Sequence, residues 1–150
     1  KPSEQAMTIA PHSEASTFAF RLLPNDIITV YETTDKGAQP VPELTYVSIV
    51  VESTSNGVQI LKENQADADG NVLKPSTITF IANPIQTAKL IELNNKSNYY
   101  IVLKYRGSDE IIRQKYLEAQ DEYFNGASTV GTVDKTSSTA GSATASVASK

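Results

Sequence analysis

Between residues 7 and 105, short runs of Val, Ile, Thr, Phe and Tyr are divided by turn residues roughly every 8–12 positions. This spacing limits the fold more than any other feature. Runs this short, divided by turns, are the pattern of an all-β domain. The expected fold is therefore mostly β, a β-sandwich of immunoglobulin-like or jelly-roll type with about eight strands. A chain of 150 residues, 39% hydrophobic, can bury such a core without staples. It has no cysteine, so disulfides, thiolate metal sites and cysteine nucleophiles are excluded.

The runs can be placed one by one. Residues 7–9 form a short first strand. In 17–22, Phe18, Phe20 and Leu22 alternate, as one face of a strand does. Pro24-Asn25-Asp26 is a turn before 27–31. Asp35-Lys36-Gly37 ends that strand, and Pro40 and Pro42 predict an extended connection. The run 44–51 is so apolar that both of its faces should be covered. Asn56-Gly57 predicts a hairpin with positive φ at both central turn positions, returning through 58–61. Asp67 to Asn71 is a further turn, 78–81 a strand stopped at Asn83-Pro84, and 86–93 another apolar segment continuing the β pattern. Residues 94–97 turn the chain into 99–105, the last clear strand.

Residues 108–125 read as a helix. Ser108 suits its N-cap, Asp109 and Glu110 its first turn, and Gly126 its stop. Ile112, Tyr116, Ala119 and Tyr123 would share its buried face. The rival reading is a hairpin turning at 106–109, with 111–117 as a final strand; the cap and stop signals favour the helix. Residues 1–126 thus make one domain. In 127–150, eighteen of 24 residues are Ser, Thr, Ala or Gly, which predicts a flexible tail or linker with Val130, Val133 and Val147 as its only apolar anchors. The chain starts at Lys1, consistent with a removed leader or a longer parent protein.

The net charge of −4 is uneven: residues 1–70 hold four Lys/Arg against ten Asp/Glu. No basic patch supports nucleic-acid binding, and no run approaches the ~18 apolar residues that cross a bilayer. His12, the single histidine, sits beside Pro11 without a partner motif and reads as structural. Asp67-Ala68-Asp69-Gly70-Asn71 has the flavour of a calcium loop. In that register, however, Ser76 stands where the bidentate glutamate belongs, so a polar turn is the better reading. Asn95-Lys96-Ser97 is a glycosylation sequon in an expected turn. Tyr99, Tyr100 and Tyr105 with Lys104 and Arg106 mix aromatic and basic groups, as single-strand binders do. Alternation nevertheless puts Tyr99 and Tyr105 on a core face with Ile101 and Leu103, and Tyr100 and Lys104 on a solvated one.

No catalytic, cofactor-binding or metal-binding residue is assigned. The function expected is a non-enzymatic structural or interaction subunit of an extracellular or virion assembly, such as a capsid or tail accessory protein or a surface-filament subunit. Its partners would be copies of itself or other subunits. The alternative is an exported binding module using the Pro40–Pro42 connection and the Asp67–Asn71 turn to recognise a glycan, peptide or cell surface. A hydrolase would require two sequence-distant carboxylates converging in a pocket.

Overall fold

The apolar runs become strands of one open antiparallel sheet. The computed structural model describes residues 3–13 and 15–130, with backbone alone at 18–20 and 127–130. Its seven strands are β1 (Gln5–Ile9), β2 (Ile27–Thr34), β3 (Gly37–Pro40), β4 (Val47–Ser53), β5 (Gln59–Ile60), β6 (Thr77–Ala82) and β7 (Tyr99–Tyr105). Two α-helices, α1 (Pro84–Lys96) and α2 (Glu110–Val130), and 3-10 turns at Ala15–Phe20 and Pro42–Leu44 complete the elements of the described residues. The mostly β class and the C-terminal helix agree with the sequence reading. No helix among the described residues is long and apolar enough to cross a membrane.

Strand β2 is the hub. It pairs with β7 along one side, while its other side is shared end to end by β4 (at Ile27 and Ile28) and β3 (from Tyr31 to Thr34). Strand β4 is flanked by β6 on one side and by β2 and then β5 on the other. Strand β1 closes the far side of β6. One sheet face carries Ile28, Val30, Val47, Ile49, Phe80 and Ile101, all nearly inaccessible. Where a sandwich would set a second sheet, this face is covered by Leu90 and Leu93 of α1, with Leu22 and Leu44 beside them.

The second sheet is missing because two segments take helical geometry. In 86–93 the deciding signal is local: Asn83 accepts a hydrogen bond from the Gln86 amide at 2.9 Å, and Gln86 returns one to the Asn83 amide at 2.9 Å, with Pro84 opening the helix. Gln86, Leu90 and Leu93 then fall on one buried helical face. In 17–22 the Ser13 hydroxyl and carbonyl bind the Ser16 amide and hydroxyl at 3.2 and 2.8 Å, starting a 3-10 turn in place of a strand. We expect Asn83→Ala to cost about 1 kcal/mol, read as a lower urea midpoint with an unchanged slope.

Smaller corrections have equally local causes. Gly37 takes φ of 103°, so Asp35-Lys36-Gly37 turns the chain tightly back into β3, where an extended connection was expected. In the turn after β4, Gly57 alone adopts positive φ, and its amide bonds the Thr54 carbonyl at 2.9 Å; Asn56 does not follow. The cap of α2 is Asp109, which accepts from the Ile111 and Ile112 amides at 2.9 and 3.2 Å, not Ser108. The helix also runs through Gly126 to Val130, four residues into the expected tail; 131–150 lie outside the described residues.

Helix α2 lies on the other face of the sheet, but with a different side inward. Ile112, Ala119 and Tyr123 are exposed, and Tyr116 alone of the expected set is partly buried. Docking is polar and aromatic. The Gln120 side chain accepts from the Tyr46 amide at 2.8 Å and donates to the Pro42 carbonyl at 3.1 Å. Arg113 donates to the Ser48 hydroxyl at 3.0 Å, and Tyr116 packs against Tyr46 and Tyr105 with ring centroids 5.0 and 5.8 Å away. Strand β4 is therefore covered on both faces, as its composition predicts.

Candidate functional site

Two bulges decide which polar groups enter the interior. In β4, Ile49 pairs with Phe80 and Val51 with Thr79, so Val50 is an extra residue. Before it, Val47 and Ile49 face the core. After it, Glu52 falls opposite Ile78 on that same face. Glu52 is fully buried, and among the described residues neither of its carboxylate oxygens has a partner at hydrogen-bond geometry; the Leu22 backbone is near enough to favour its charge without making a well-formed bond. Burial pushes the Glu52 carboxyl up to about 7, with repulsion from Asp26 adding to it; the Leu22 backbone and the Arg106 guanidinium pull the other way and lose.

In β7, Leu103 pairs with Ile28 and Tyr105 with Ile27, leaving Lys104 as the extra residue. The shift moves Tyr105 off the core face, where simple alternation had put it, and onto Tyr116 of α2. Arg106 follows directly and turns back to Asp26. Its Nε donates to Asp26 Oδ1 at 2.9 Å, and its Nη2 reaches Asp26 Oδ2 and the Arg21 carbonyl, each at 2.5 Å. Asp26 is almost wholly buried, and Oδ2 also accepts from the Leu23 amide at 2.7 Å. Backbone bonds between Asn25, Asp26 and Ile49 fix this turn to β4, and Asn25 takes φ of 70° to make it.

The cluster stands between two clefts that share Leu23 and Arg106 as a wall. One, of about 450 Å³, has Glu52, Leu22 and Ile60 on the sheet side and Gln65, Val72 and Leu73 opposite. The other, of about 550 Å³, takes in Asp26, Leu61, Glu63 and Ser108. Asp26 and Glu52 thus open toward different clefts. This is a charge cluster of two carboxyls and one guanidinium, and it differs from a pair of acids flanking one scissile bond.

The residues singled out from sequence lie elsewhere, Arg106 excepted. His12 is exposed and stands edge-on to the Tyr99 ring at 5.1 Å. Tyr99 is buried, donates to Asn94 Oδ1 at 3.0 Å, and has its phenol pushed by burial up to about 12. Tyr100 and Lys104 are exposed, as read. Asn95 is exposed near the end of α1 rather than in a turn. Asp67 spends its carboxylate on its own turn, accepting from the Asn71 amide at 2.8 Å and the Asp69 amide at 3.0 Å, and these bonds, those from Asn71 foremost, hold it below the usual range. Among the described residues no three His, Asp or Glu side chains gather as a metal site would require.

A second feature bears on function. Strand β1 pairs only with β6, through five residues from Gln5↔Ala82 to Ile9↔Ile78, so its outer edge is unpaired among the described residues. Four of its five residues are not buried.

Comparison with protein-family models, curated proteins and solved structures finds no match for this chain.

Proposed function

We propose that the chain is a non-enzymatic structural or interaction subunit of an extracellular or virion assembly, and that it meets its partners along the β1 edge. The observation that carries this reading is the unpaired edge of β1. A strand with a free row of N–H and C=O groups is a template for another chain's strand, and neither proline nor charge in Gln5–Ile9 blocks it. The reading favours copies of this chain or other subunits as partners. The separation of Asp26 and Glu52 into different clefts supports the non-enzymatic part.

The test is molar mass by light scattering across a wide concentration range, on the whole chain and on an Ala6→Lys/Thr8→Lys variant. Both positions are exposed, and edge lysines discourage strand addition. The expected result is a mass rising to a multiple of 16.2 kDa for the parent and staying at 16.2 kDa for the variant. A parent mass fixed at 16.2 kDa throughout overturns self-assembly, and equal association by the variant overturns the role of the edge.

A further inference from the structure

We propose that residues 61–76 form a lid over Glu52, shut while that carboxyl is protonated and released when it ionises. This goes beyond the assembly reading and does not depend on it.

Three observations carry the inference. The carboxyl is buried, and both its oxygens lack partners at hydrogen-bond geometry. It borders a cleft whose opposite wall is Gln65, Ala66, Val72 and Leu73. That wall is tied almost wholly to itself: among the described residues, every hydrogen bond made by 62–74 stays within 59–74, and the one that reaches a strand is from the Asn64 side chain to the Gln59 carbonyl of β5, at 2.8 Å. The first bond to the body beyond them is from the Ser76 amide to the Ser53 carbonyl, at 2.7 Å. Within 62–74 only Asn64 and Leu73 are half-buried and the other residues are exposed, the buried Pro75 following just beyond.

The groups around Glu52 offset its burial only in part when it ionises: the Leu22 backbone and the Arg106 guanidinium favour the charged form, and desolvation outweighs both. Arg106 is committed to Asp26 and to the Arg21 carbonyl. Asp26 repels Glu52. Arg21 stands at the rim and does not bond it, Lys62 and Glu63 belong to the neighbouring cleft, and Asp67 is engaged in its own exposed turn, which also holds Asp69. An ionised Glu52 must therefore gain water, and the route is outward movement of 65–74, where no hydrogen bond to the sheet holds the wall.

The test is amide hydrogen exchange on the full chain at about pH 5.5 and about pH 8.5, corrected for intrinsic rates. A carboxyl at about 7 when shut and 4.5 when open raises the open population roughly thirtyfold between those conditions. The expected result is that protection of the Leu73 and Ser76 amides falls by roughly that factor relative to the amides of β6, and that Glu52→Gln abolishes the difference. A carbon-13 titration of the Glu52 carboxyl in the parent chain stands independently of whether that variant folds, and should show the raised midpoint. Protection that is equal at both pH values, an unchanged difference in Glu52→Gln, or a Glu52 midpoint in the usual carboxylate range overturns the lid.

Discussion

Replacing Arg106 by methionine is expected to destabilise the fold by about 3 kcal/mol at neutral pH. Methionine keeps much of the aliphatic stem, so the loss comes from charge and hydrogen bonds. Asp26, only 2% exposed, would keep the Leu23 amide and lose both guanidinium contacts. Glu52 would lose the one cation that offsets its burial. Because the Arg106 side chain is itself 39% exposed, water screens part of the pair, and the figure sits at the low end of the range for broken buried ion pairs. Urea unfolding of the single variant, of Asp26→Asn and of the double variant closes a cycle. The double variant should be less harmed than the sum of the singles. A loss below about 1 kcal/mol for Arg106→Met would show that the pair is no more than a surface bridge.

The second large effect is on the pH dependence of stability. The ordinary value for Glu52 is 4.5, and in the folded chain it stands at about 7. The folded protein therefore holds this proton more tightly than the unfolded one. The associated stability is fully present below 4.5 and is lost as pH rises through about 7. The loss amounts to about 3 kcal/mol if the site stays shut. Glu52→Gln removes the titration, so the difference in unfolding free energy between parent and variant should shift in the variant's favour by that amount from about pH 4 to about pH 8. An opening lid limits the loss, because ionisation then costs no more than the opening. A loss that stops short of about 3 kcal/mol itself measures the free energy of opening the lid. A difference that is constant with pH would show that Glu52 does not titrate in this range.

Much of the sheet was legible because alternation and β-branched runs were strong. Strand β7 falls where the sequence puts it, at 99–105, and the apolar density of 44–51 marks the strand covered on both faces. The misread segments are those where two periods look alike over six residues. Phe18, Phe20 and Leu22 alternate like a strand, yet Ser13 starts a 3-10 turn there. Helix α1 was readable: Asn83, Pro84 and Gln86 spell a capping box, which outweighs the β-like residues after it. The charge cluster was not legible. Val50 sits in an unbroken apolar run, so nothing in the residues marks it as a bulge, and without the bulge Glu52 counts to the face opposite the core. Asp26 reads as a turn residue and Arg106 as the end of a strand, 80 positions apart.

The path of α2 has a topological consequence. After β7 the helix crosses the outer face and brings Asp121 and Phe124 to the same small cleft as Ser3 and Glu4, beside β1. The start of the described fold and the body of α2 are neighbours, so the described fold is close to a closed ring. One exposed excursion from that ring is the turn at 67–71, which belongs to no strand. The order of the elements along the chain is thus nearly arbitrary with respect to the fold. A ring sealed between the residues before β1 and α2 and cut in that turn would preserve every strand pairing, and would begin with β6 and end with β5.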